Sequence, residues 1–139
     1  MQIETRDFGL AEIDEKDVVT FVKPILGFEE YTKFVMIMDQ DIQGFAWLQS
    51  TEEKELCFII ANAALIEGYK PSVDQETLDA LGGEYTEMWL MASIKEEVAK
   101  TTVNLKSPLL FNMNSFTAVQ AVSEDDLPFR FAIFGGKEK

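Results

Sequence analysis

Phe45-Ala46-Trp47-Leu48-Gln49-Ser50, the charged turn Thr51-Glu52-Glu53-Lys54-Glu55, and Leu56-Cys57-Phe58-Ile59-Ile60-Ala61 decide the fold class. Aromatic and aliphatic side chains dominate both flanks, without the three-to-four spacing of an amphipathic helix. The stretch reads as two strands joined by a charged turn. Its second run is apolar throughout, which predicts a strand buried on both faces.

Working outward, the same signature recurs. Upstream, Phe34–Met38 is a strand closed by Asp39-Gln40-Asp41, and Val18–Val22 is a strand ended by Pro24. Met1–Thr5 and Leu10–Ile13 flank Asp7–Gly9, a hairpin turn in which Gly9 supplies a positive φ. Downstream, strands are expected over Glu84–Ile94, Thr102–Leu105 and Phe129–Phe134, with a second hairpin joining Leu109–Phe111 to Phe116–Val122. One short helix is expected after Pro71, with Ser72 and Gln75 at capping-box spacing and Val73, Leu78 and Leu81 on one face. Gly82-Gly83 stops it. Lys95–Lys100 reads as a charged loop or helical turn, and residues 135–139 as a frayed tail. The sum is a mainly β chain: a compact, antiparallel, β-barrel-like single domain over residues 1–139, with one or two short helices.

Composition narrows the function. The 139 residues carry 12 basic and 25 acidic side chains, a net charge of −13. Phosphate-neutralising nucleic-acid binders and anionic membrane surfaces call for the opposite sign, so neither is an expected partner. A basic protein is the natural complement. Histidine is absent, which removes His-based nucleophile pairs, His-containing zinc and iron sites, and the commonest neutral-pH acid–base. The single Cys57 forms neither an internal disulfide nor a thiolate cluster, and burial in a strand raises its pKa and makes it inert. The opening Met1-Gln2-Ile3-Glu4 lacks the pattern of a signal peptide, and no apolar run reaches the ~20 residues of a membrane helix. A cytoplasmic, monomeric binding protein with no cofactor or metal is the expectation.

Individual motifs each have a bland and a sharp reading. Asp39–Gly44 faintly resembles a calcium loop, but its fifth position is Gln43 and its twelfth Ser50, so it reads as a polar turn. Glu52, Glu53 and Glu55 sit beside a turn and read as solubilising charge, or as carboxylates of the kind that serve glycoside hydrolysis when two face each other across a pocket. Leu26-Gly27-Phe28-Glu29-Glu30-Tyr31 offers Phe28 as a core residue, or the whole stretch as an interaction loop. Trp47, Phe45 and Trp89 read as core. A small-ligand-binding barrel and a carboxylate-only, metal-dependent hydrolase are the rival classes, together with a nucleic-acid mimic.

Several segments together resemble the flagellar assembly factor FliW family. They are Thr5-Arg6-Asp7-Phe8-Gly9 with Asp17–Phe21, Leu26-Gly27-Phe28-Glu29 with Phe34-Val35, Phe45–Ser50 leading to Leu56–Ile60, and Thr102-Val103-Asn104-Leu105-Lys106-Ser107-Pro108-Leu109 with Gln120 downstream. The resemblance runs from residue 3 to about residue 122. Lys23-Pro24-Ile25-Leu26-Gly27-Phe28 replaces the family's usual Gly-Ile-Pro-Gly-Phe type of turn, and Ala118-Val119 stands where many members have a glycine before the glutamine. The segment beyond Val122 matches poorly. The resemblance implies a β-barrel-like fold, no enzyme activity, and partner switching in the cytoplasm between flagellin and CsrA, a small RNA-binding translational regulator. Carried onto this chain, it implies Phe28 and Glu29 as a docking loop, Asn104 as a group that fixes backbone orientation near a partner, against the bland reading of a turn-capping amide at a strand end, and Glu52, Glu53 and Glu55 as electrostatic contributors.

Overall fold

The computed structural model describes residues 1–93 and 100–133. Strands run over Gln2–Thr5 (β1), Gly9–Glu12 (β2), Val19–Lys23 (β3), Lys33–Met38 (β4), Phe45–Ser50 (β5), Cys57–Asn62 (β6), Glu87–Ser93 (β7), Thr102–Val103 (β8), Leu109–Asn112 (β9), Thr117–Gln120 (β10) and Phe131–Ala132 (β11). One short helix, α1, covers Gln75–Ala80, and 3-10 turns cover Glu15–Asp17 and Ala63–Leu65. The expected tail at 135–139 lies outside the described residues. So do Ile94, Phe134 and, apart from Lys100, the expected charged loop.

Strands β7-β6-β5-β4-β3-β10-β9 form a sheet that closes on itself through β9 and β7, giving a seven-stranded barrel. Each neighbouring pair in the ring is antiparallel except β3 and β10, which run parallel with a register shift at Ala118/Val119. That pair amends the expectation of an antiparallel barrel, and the reason is arithmetic. Directions cannot alternate all the way round a ring with an odd number of strands, so one seam must be parallel. β8 and β11 extend the sheet outward from β7.

The alternation of each strand sorts its side chains to two sides. Val19, Phe21, Phe34, Ala46, Leu48, Ile60, Trp89, Leu109, Phe111 and Ala118 point inward and, with Ile25, fill the barrel. A filled interior counts against the small-ligand barrel. Outside, Phe45, Ala61 and Leu90 are covered by Ala63, Val103 and Leu105, while Leu110, Val119 and Ala121 are covered by Leu81, with Val73 and Leu78 packed beside it. β6 thus contributes to two cores, as its unbroken apolar run predicts.

The helix keeps its expected apolar face but not its expected cap. Asp74, not Ser72, is the N-cap, its Oδ1 accepting from Thr77 N at 2.8 Å. Ser72 is engaged elsewhere: its hydroxyl lies 3.1 Å from Ser123 Oγ and its N–H donates to Asp125. At the other end Gly82 and Gly83 take φ of +90° and +102°, and Gly83 N donates to Leu78 O at 2.8 Å, closing the helix. Phe129–Phe134 was expected to be a strand. Among its described residues only Phe131–Ala132 is strand, and Phe129 is 62% exposed.

The β1–β2 hairpin is docked on the barrel through Arg6. Its N–H donates to Gln49 Oε1 (3.0 Å) and its Nη1 to Cys57 O (2.8 Å), while Asp7 neutralises the guanidinium at 3.0 Å. Phe8 meets Trp47 edge-on, with ring centroids 4.8 Å apart.

Candidate protein-docking site

The β3–β4 connection and the β5–β6 turn emerge from the same end of the barrel, because β4 begins opposite the end of β5 (Phe34↔Ser50). The first carries Phe28 and Glu29; the second carries Glu52, Glu53 and Glu55. The two are joined directly: Thr51 N donates to Lys33 O at 3.0 Å, and Thr32 N to Glu52 Oε1 at 3.3 Å.

Ile25 is buried and anchors the β3–β4 connection. Phe28 N donates to Ile25 O at 2.9 Å, closing a tight turn, and Gly27 at its third position has φ +90°, a conformation that favours glycine. The remaining amides of the turn are each satisfied by a side chain. Leu26 N donates to Gln120 Oε1 (2.8 Å), reaching across to β10, and Gly27 N donates to Glu29 Oε2 (3.1 Å). The Gly27 N–H holds the Glu29 carboxyl below its ordinary pKa. Two apolar side chains are left projecting: Leu26, 65% exposed, and Phe28, 38% exposed.

Phe28 is both core and surface. Its ring lies edge-on to Phe58 at 5.1 Å, Phe58 contacts Phe34 at 6.1 Å, Phe34 contacts Phe21 at 5.4 Å, and Phe21 contacts Phe111 at 5.9 Å. This aromatic chain ties the exposed ring to the barrel interior, so its position is set by core packing.

The neighbouring acidic turn is braced from inside. Gln49 is fully buried, and its Nε2 lies within hydrogen-bond distance of Ser50 O (3.1 Å), Lys54 O (3.1 Å) and Leu56 O (3.3 Å). Ser50 Oγ accepts from Glu52 N (3.0 Å) and Glu53 N (2.9 Å), and Glu53 Oε2 accepts from Glu55 N (3.1 Å). Gln49 and Gln120 are residues of the candidate site to which the sequence reading assigns no role. Their signal was a lone amide inside or ending an apolar strand, a position that is tolerated only where its polar atoms find partners.

Asn104 lies elsewhere, on the connection from β8 to β9. Its Oδ1 accepts from Lys106 N (2.9 Å) and Ser107 N (3.0 Å), the bonds of a turn-capping amide. The Asp39 carboxylate is likewise committed to its own turn, accepting from Asp41 N (2.7 Å) and Ile42 N (3.1 Å). Among the described residues, no group of three or more metal-ligating side chains is assembled. Cys57 is buried, and desolvation pushes its thiol up to about 11. The site therefore offers apolar knobs, an acidic rim and a rigid mounting.

A family model described as FliW protein matches residues 2–133. The chain belongs to the FliW family. The match runs past Val122, where the sequence resemblance faded, and takes in β11. Among the relatives named flagellar assembly factor FliW, that of Bdellovibrio bacteriovorus is 34% identical, over 96% of this chain and 79% of its own length. That of Caldicellulosiruptor saccharolyticus is 33% identical over 95% and 90%, and that of Leptospira interrogans 31% identical over 91% and 87%. A crystal structure of the flagellar assembly factor FliW superposes with a TM-score of 0.89 at 25% identity, covering 96% of this chain and 97% of that one. The mainly β, barrel-forming architecture is thus that of the FliW fold. No described helix is long and apolar enough to cross a membrane.

Proposed function

We propose that this chain is a cytoplasmic, non-enzymatic flagellar assembly factor that binds flagellin and antagonises a CsrA-like RNA-binding regulator by switching between them. The observation that carries the reading is the braced turn that holds Leu26 and Phe28 out from the barrel beside Glu52, Glu53 and Glu55. An amphipathic helix of flagellin finds apolar anchors there. A regulator with the basic surface needed to hold RNA phosphates finds complementary charge. The names of the relatives support the flagellar assignment, and the −13 charge supports the choice of a basic partner. If RNA and this chain act on the regulator at separate sites, their mutual weakening must be reciprocal.

The test is titration calorimetry with purified flagellin and with CsrA, followed by competition between them. Binding to both, with flagellin displacing CsrA, is the expected result. Phe28→Ala should lower affinity at least about tenfold, the loss of one anchoring aromatic. A chain that binds neither protein ends the proposal.

A further inference from the structure

The opposite end of the barrel carries a cleft. Strand directions place the start of β3, the end of β4, the start of β7 and the β9–β10 turn at the end remote from Phe28. The cleft, of about 510 Å³, lies there. Its apolar lining includes Met36, Met38, Met113 and Phe116. Met38 is 52% exposed, and Phe116 is held at φ +54°, an uncommon conformation for a bulky residue. Its rim includes Glu12, Asp14, Asp17 and Glu87. Glu12 pairs with the chain's own amino terminus, Asp14 caps the 3-10 turn through Lys16 N, and Glu87 accepts from Trp89 Nε1, so these three are held in place around the opening.

From this we infer that the cleft is a second docking pocket, whose occupant is a basic amphipathic helix of another protein. The helix inserts an apolar side chain between the methionines and sets Lys or Arg against the rim. Three features select that occupant. Thioether side chains are flexible and polarisable, and methionine-lined surfaces accept apolar side chains of varied shape. The rim is acidic on a molecule of net charge −13, so an anionic amphiphile is repelled and a cationic one attracted. A cleft of this volume admits protruding side chains but not a whole helix about 10–12 Å across, so the helix rides on the rim where the carboxylates stand. The inference does not rest on the Leu26–Phe28 reading, which concerns the other end of the barrel.

The experiment uses the full chain labelled with ¹³C at its six methionine methyls. The probe is a peptide of roughly 18 residues built from Leu, Ala and Lys, with leucines three and four apart so that one helical face is apolar. Controls replace every Lys by Gln or by Glu. The expected result is saturable shifts at Met36, Met38 and Met113 with Met88 and Met91 unmoved, weaker binding of the Gln peptide, and none of the Glu peptide. Asp17→Lys and Met38→Asp, both at exposed positions, should each weaken the Lys peptide at least about tenfold, with circular dichroism unchanged. The inference fails if shifts are absent, if they fall on other methyls, if the Gln peptide binds equally well, or if Asp17→Lys leaves affinity unchanged.

Discussion

Replacing Gln49 by Leu tests whether the acidic turn is held by a buried amide. The substitution keeps the volume close and removes hydrogen bonding at a fully buried position. The amide offers two protons to Ser50 O, Lys54 O and Leu56 O, and its Oε1 receives Arg6 N. Three bonds at about 1 kcal/mol each give ~3 kcal/mol. Leu56 O keeps its bond from Ser50 N, but the part-buried Arg6 N–H loses its acceptor. The apolar gain of a leucine offsets some of the loss, so about 2–4 kcal/mol remains. Urea unfolding should show a lower midpoint at unchanged slope, and the melting temperature should fall by roughly 10 °C for a chain of this size. Gln49→Glu adds a sign test. Ionised, the new carboxylate faces carbonyl oxygens, so its folded pKa lies above its unfolded value near 4.3. The folded state then binds more protons, and stability falls as pH rises from the unfolded toward the folded pKa. A loss below about 1 kcal/mol for Gln49→Leu, or no such pH limb for Gln49→Glu, refutes the brace.

Gly27→Ala meets no atom within 4 Å, so its cost is conformational alone: ~1–2 kcal/mol at φ +90°, read from denaturant curves, with Gly27→Asn costing less. Asp74 has its carboxyl held below the ordinary value by hydrogen bonds from the Thr77 hydroxyl and N–H. That contribution is present above the unfolded pKa near 3.8 and is lost as pH falls through the folded one; Asp74→Ala should flatten this acid limb in a pH series of melting curves. Cys57, with its thiol near 11, should react with a thiol reagent at pH 8 far more slowly than in urea.

Most of the barrel was legible because period-two alternation is a local signal, and β4, β5 and β6 appear within a residue of where their side chains place them. What stayed hidden depends on partners far along the chain. The parallel β3–β10 seam joins segments about a hundred residues apart and follows from ring closure, which no single strand records. The cap fell to Asp74 rather than Ser72 because Ser72 had a competing partner in Ser123, equally invisible locally. The same holds for the site. Phe28 and Glu29 stand out through the family resemblance, yet the residue that fixes their turn is Gln120, 94 positions from Leu26. Asn104 was singled out alongside them, and its bonds are those of its own turn.

The geometry separates two contributions that a binding constant merges. In the proposed complex Phe28, fixed by ring contacts into the core, acts at short range and after encounter, and its removal should raise the dissociation rate. Glu52, Glu53 and Glu55 act there before contact, on the same proposal. At ~0.1 M salt a charge is felt over about 10 Å, enough to bias approach but not to hold a complex. Neutralising all three as Gln should therefore lower the association rate with a basic partner and flatten its dependence on salt, leaving dissociation nearly unchanged. The bonds that Glu52 and Glu53 accept from Thr32 N and Glu55 N survive this change, since an amide oxygen accepts as a carboxylate does. A triple variant that altered dissociation alone would show the carboxylates to be contact residues, and the division between anchoring and steering would be wrong.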